Sequence, residues 1–193
     1  GSSTYTMGFT NSAQGNTVKF VNIKGGGGSA SNGTVFFGTG TNTNNTLAYC
    51  RVTNNGTRRI NAIYSQGGTT TGTQLTGNAV YDTWSTTASS YGVNASTGTS
   101  GWNVANNSFY ETSNFQPSAA TTYSAIYLNN TGGVYTLTNN YIGGQDSLCG
   151  GTALRFGVDG TVTTNMFRPI YINVGSSTTS VQGNTIKNIA HRS

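Results

Sequence analysis

Apolar positions recur along the chain in one short phrase. It reads Leu/Val-x-x-Asn-x-Val/Ile/Phe and appears as Leu75-Thr-Gly-Asn78-Ala-Val80, Val104-Ala-Asn-Asn107-Ser-Phe109 and Leu137-Thr-Asn-Asn140-Tyr-Ile142. It returns as Val162-Thr-Thr-Asn165-Met-Phe167 and Val181-Gln-Gly-Asn184-Thr-Ile186. Ala13-Gln-Gly-Asn16-Thr-Val18 reads as a degenerate early copy, and Leu47-Ala-Tyr-Cys50-Arg-Val52 as a copy with Cys in the Asn place. The marker positions are 16, 50, 78, 107, 140, 165 and 184, with a mean spacing of (184 − 16)/6 = 28 residues. A constant phrase with variable gaps is the signature of a solenoid, whose strands must stack while its loops grow outward. Between the markers lie further short strand phrases: Val35-Phe37, Asn61-Tyr64, Tyr91-Val93, Ala125-Leu128, Ala153-Phe156 and Pro169-Ile172.

The pattern predicts an all-β, right-handed parallel β-helix of about seven coils, spanning residues 1–193. A sandwich joins antiparallel strands by hairpins and has no need of one Asn in the same place in every unit. Parallel coils stack about 4.8 Å apart, so every column becomes a ladder of like side chains. An inward Asn then finds amide partners one coil above and below. The expected ladder is Asn16, Asn78, Asn107, Asn140, Asn165 and Asn184, with Cys50 as its interruption. Cys149 lies about three coils from Cys50, roughly 14 Å at this stacking distance, which favours two unpaired thiols.

The phrase running from Val181 through Asn184 and Ile186 to Asn188-Ile189 resembles the repeat of the right-handed parallel β-helix family in the pectate-lyase-like superfamily. The resemblance covers about residues 13 to 189. It implies the fold, and it leaves open polysaccharide lyases, glycoside hydrolases, phage tailspikes and bacterial surface proteins.

Composition agrees with the pattern. Charged residues make up 7% of the chain, against about 25% in ordinary soluble domains. Eleven Tyr and eight Phe argue against disorder. The formal net charge is +5, with the cations scattered and Arg58-Arg59 the only adjacent pair inside the chain, so no nucleic-acid footprint is expected. No run of 18 apolar residues predicts membrane insertion.

Candidate chemistry is sparse. The acids are Asp82, Glu111, Asp146 and Asp159, and the one His is His191. Asp82 follows Asn78 by four residues and Glu111 follows Asn107 by four, which places them in one column on adjacent coils. Such a pair suits solvated strand ends, a cation or sugar contact, or the two carboxylates of a glycosidase. Calcium prefers six to eight oxygens, more than two acids supply, so no cofactor is expected, and calcium is the one candidate left open. Tyr81 and Tyr110 share the next column, with Trp84 nearby, and position parity turns them outward as candidate sugar-ring contacts. Cys50, Cys149 and His191 have no metal-ligand spacing.

Solenoid ends expose strand edges and normally need caps. Neither end of this sequence shows an amphipathic cap, which predicts a segment of a larger protein or copies joined end to end. The expected function is a non-enzymatic structural or adhesive module, extracellular or on a cell surface. Its expected partners are other copies or a cell-surface polysaccharide. The alternatives are a carbohydrate-active enzyme using Asp82 and Glu111, and a carbohydrate-binding module using Tyr81, Tyr110 and Trp84.

Overall fold

The computed structural model describes residues 5–25, 30–157 and 164–191. It is an all-β parallel solenoid with three main faces. Face I stacks Met7–Phe9, Val35–Phe37, Asn61–Ser65, Ser90–Ala95 and Thr122–Asn129, followed by Met166–Phe167 and Ile170–Asn173. Face II stacks Thr17–Lys19, Thr46–Ala48, Gln74–Thr76, Trp102–Ala105, Tyr135–Thr138 and Thr179–Gln182. Face III stacks Asn22–Gly25, Arg51–Asn54, Ala79–Tyr81, Ser108–Tyr110, Tyr141–Ile142 and Thr185–Ile186. A shorter ladder of Thr41–Thr43, Thr69–Thr71 and Thr99–Ser100 lies between faces I and II.

Alternation along each short strand sends every second side chain inward. On face II the inward column is Val18, Leu47, Leu75, Val104, Leu137 and Val181. On face III it is Ile23, Val52, Val80, Phe109, Ile142 and Ile186. The four middle members of each column are buried. These two columns are the first and last letters of the repeated phrase, and the corner between them carries its Asn.

At that corner each rung reaches the next through the amide. The backbone N–H of Asn78 donates to Asn107 Oδ1 at 2.9 Å, that of Asn107 to Asn140 at 3.1 Å, and that of Asn140 to Asn184 at 2.9 Å. Each Asn then donates from Nδ2 to the carbonyl of the apolar residue one rung back: Asn78 to Leu47, Asn107 to Leu75, Asn140 to Val104 and Asn184 to Leu137. The residue before the ladder position is left-handed in every rung: Phe20, Tyr49, Gly77, Asn106, Asn139 and Gly183, with φ between 53° and 68°. Gly and Asn tolerate this conformation; Phe and Tyr do so at a cost.

Several expectations change. The main ladders are six strands deep, so there are six rungs where the sequence suggested seven. Face II passes directly from Tyr135–Thr138 to Thr179–Gln182. Val162 lies outside the described residues, while Met166–Phe167 pairs with Thr122–Tyr123 on face I. Asn165 accepts from the Thr121 N–H at 3.4 Å and stands apart from the ladder. Asn16 belongs to a different corner, where its N–H and Nδ2 both donate to Asn45 Oδ1 at 3.1 and 3.0 Å. The first-rung counterpart of the phrase is Val18-Lys-Phe-Val21-Asn-Ile23, with Val21 in the Asn place. Finally, Leu154–Phe156 pairs with Ile189–His191 and stays off face I. Cys50 and Cys149 are both buried and free.

Candidate functional site

The register Val80↔Phe109 and Tyr81↔Tyr110 brings Asp82 and Glu111 to the same end of face III on neighbouring rungs. The two carboxyl groups then diverge. Asp82 is left-handed, with φ 53°, and its oxygens turn to the next rung. They accept from the Thr112 N–H at 2.8 Å and from Thr112 Oγ1 at 2.7 Å. Glu111 turns inward and is 1% exposed. Its Oε2 accepts from Arg58 Nη1, and its Oε1 lies 3.4 Å from the Trp84 N–H.

Arg58 organises the cluster. It pairs with Glu111, lies 3.9 Å from Asp82, donates to the Trp84 carbonyl at 3.3 Å and sits 5.2 Å from the centre of the Phe115 ring. Burial pushes the Glu111 carboxyl up to about 7, and the nearby Asp82 charge adds to this. The attraction and hydrogen bond of Arg58 oppose the shift without cancelling it. A carboxyl near 7 is chemically suited to general acid work. Here, however, both oxygens are engaged by protein groups and the residue has almost no exposed surface.

Arg58 was not singled out in the sequence. The one available signal was its place in the sole adjacent basic pair, a short loop after the Asn54 column. Its neighbour Arg59 is buried, and the Arg59 backbone forms an isolated parallel β-bridge with Trp84.

The aromatic residues separate. Trp84 is 3% exposed and belongs to a second core with Phe115, Tyr123, Leu154 and Phe156. It is therefore removed from the surface on which the sequence placed it. Its ring meets Phe115 and Phe156 edge-on at 6.0 and 5.9 Å. Tyr81 and Tyr110 do share a column, but they stack on each other at 5.0 Å and 11°. Each ring gives one face to the other, which leaves less of either for a sugar.

An open cleft of about 500 Å³ lies beside this cluster, lined by Thr112, Ser113, Asn114, Gln145, Thr152 and Arg155. Its floor is ordered by hydrogen bonds from Gln145 Nε2 to Asn114 Oδ1 at 2.7 Å and from Thr152 Oγ1 to Gln145 Oε1 at 2.8 Å. Thr112 links it to Asp82. No protein family, curated protein or solved structure matches this chain. Among the described residues, no group of three or more His, Cys, Asp or Glu is placed to hold a metal ion. No helix among them is long and apolar enough to cross a membrane.

The ends of the stack form a second candidate surface. In the last rung, the core columns surface: Val181 is 43%, Ile186 48% and Ile172 40% exposed. In the first two rungs, Phe20 and Tyr49 stand 78% and 56% exposed and stack at 5.4 Å.

Proposed function

We propose that this chain is a non-enzymatic structural and adhesive β-helix module of a secreted or cell-surface protein, whose copies associate end to end. The observation that carries the reading is the last rung, where side chains in register with a continuous core lie open to solvent. Apolar surface so arranged gains about 25 cal/mol for each Å² it buries. Its strand edges also carry backbone groups able to pair with a further parallel strand. The scarcity of charge and the polar flanks suit a scaffold in an extracellular setting. The repeated phrase supports placement in the pectate-lyase-like superfamily.

The locked carboxylates favour a scaffold over an enzyme. Asp82 is committed to Thr112, and Glu111 to Arg58 beneath the second core. One observation favours a second reading, carbohydrate binding: the ordered polar cleft beside Thr112, whose amides, hydroxyls and guanidinium suit a hydroxyl-rich ligand. A polysaccharide panel scored for binding and for product release tests both readings on wild type and Asp82→Asn/Glu111→Gln. The scaffold reading expects no turnover in either protein. Turnover by wild type that the double variant loses would make the protein an enzyme. Sedimentation across a concentration series tests the association, and a strictly monomeric chain would refute it.

A further inference from the structure

The charge of this chain is unevenly placed. Residues 1–81 carry Lys19, Lys24, Arg51, Arg58 and Arg59 and no carboxylate, while residues 82–193 carry four cations and four acids. The formal charge of +5 therefore belongs to the first part of the stack. Two of these cations are taken up within the fold, since Arg58 pairs with Glu111 and Arg59 is buried. Lys19, Lys24 and Arg51 are exposed, and no described carboxylate pairs with them.

These three cations frame the corner between faces II and III. Lys19 stands outward on face II beside inward Val18, and Lys24 outward on face III beside inward Ile23. Arg51 stands outward on the next rung, in register with Asn22. Between them the corner carries Phe20, Val21 and Tyr49, which are 78%, 43% and 56% exposed. The Phe20 and Tyr49 rings stack at 5.4 Å. Tyr49 has Phe20 on one side along the stack and Gly77 on the other, so its exposure is lateral. Both aromatic residues are left-handed, with φ 58° and 53°, at a corner where later rungs use Gly77, Asn106, Asn139 and Gly183. An aromatic residue in that conformation costs backbone strain. Neither ring enters the core, so core packing does not account for them.

We infer that this corner is a peripheral membrane-docking ridge: Phe20 and Tyr49 enter the interface of an anionic lipid surface, and Lys19, Lys24 and Arg51 meet its headgroups. Aromatic rings favour the boundary between water and lipid, and basic side chains near it are drawn to negative headgroups. Shape separates this partner from other polyanions. Single-stranded nucleic acid is held in a basic groove that tracks its backbone, and small ligands are taken in concave sites. Here the aromatic pair stands at the apex where two faces meet, with cations on both flanks, a form that fits a flat surface. Such docking needs no spanning segment and does not depend on end-to-end association.

The test is co-sedimentation of the full chain with lipid vesicles. Wild type binds vesicles of equal parts phosphatidylglycerol and phosphatidylcholine and binds phosphatidylcholine alone far less. It is released as sodium chloride rises from about 0.1 M to about 1 M, where the screening length shrinks from ~10 Å to ~3 Å. Lys19→Gln, Lys24→Gln and Arg51→Gln each weaken binding about fivefold. Phe20→Asn and Tyr49→Asn each weaken it about tenfold. They bring to the corner the residue that Asn106 and Asn139 already supply there, and thermal melts verify that they fold. Arg155→Gln removes the same charge from an exposed site outside the ridge and leaves binding unchanged. If wild type binds neither vesicle, or if Arg155→Gln weakens binding as much as the ridge variants, the ridge is overturned. Full binding by Phe20→Asn and Tyr49→Asn overturns the role of the rings. Capture of single-stranded DNA or heparin through these residues, without vesicle binding, would assign the ridge to another polyanion and refute the lipid.

Discussion

Asn107→Ala removes the centre of the amide ladder. Four hydrogen bonds go with the side chain: two into Oδ1 from the N–H and Nδ2 of Asn78, both at 2.9 Å, and two from Nδ2 to Leu75 O at 2.8 Å and Asn140 Oδ1 at 3.0 Å. Two of the groups left behind keep another partner. Asn78 Nδ2 still has the Leu47 carbonyl, and Asn140 Oδ1 still has the Asn107 N–H. The Asn78 N–H loses its acceptor, and the Leu75 carbonyl loses its side-chain donor. Each buried group stranded in this way costs about 1–3 kcal/mol, so the substitution destabilises by roughly 2–6 kcal/mol. That is a large share of the ~5–15 kcal/mol available to a folded domain. The assay is urea denaturation by circular dichroism, comparing midpoint and slope, since a lower slope would reveal fraying of the rungs. Asn103→Ala is the control: its Nδ2 donates to Gln74 Oε1 at 2.9 Å on the outer side of face II, and its cost stays below about 1 kcal/mol. If Asn107→Ala costs no more than Asn103→Ala at equal slope, the ladder does not hold the rungs together.

Two more outcomes follow from the same geometry. Cys50 takes the ladder position with its Sγ 3.7 Å from the Val18 carbonyl, where an Asn would place Nδ2; Cys50→Asn adds that bond and an acceptor for the Val21 N–H, raising the melting temperature by about 2–4 °C, and a fall in Tm refutes it. Burial lifts Glu111 to about 7, above its ordinary value of 4.5. The folded state therefore holds this proton where the unfolded chain has lost it. That contribution is full below the unfolded pKa and disappears as pH rises through about 7, so the urea midpoint falls between pH 5 and 8. Glu111→Gln flattens this fall, and an unchanged slope against pH excludes Glu111 as its source.

The scaffold was legible because its chemistry repeats. The columns at Leu75, Val104 and Leu137, and at Val80, Phe109 and Ile142, are visible as letters of one phrase, since stacking imposes the same demand on every rung. The errors arose where two local demands look alike. Asn16 and Asn78 each follow a left-handed glycine, Gly15 and Gly77, because both corners need the same turn; nothing local distinguishes the corners. The phrase at 162–167 has the right residues, but Met166–Phe167 went to face I. Trp84 groups with Tyr81 and Tyr110 by nearness in sequence alone; three positions on from an outward Tyr81, strict alternation already turns it inward, and it lies in the second core. The Arg58–Glu111 contact joins residues 53 positions apart through a loop, and no periodicity encodes it.

The amide ladder also gives the molecule a mechanical grain. From Cys50 to Asn140 every ladder N–H points toward the later rung, and each couples only to its neighbour, across sequence separations of 28, 29, 33 and 44 residues. Load applied between the ends is therefore borne by one corner at a time. A rung that gives way releases roughly 90–160 Å of chain at about 3.3–3.6 Å per residue, while the rungs beyond it remain closed. As a tether, such a molecule lengthens in steps.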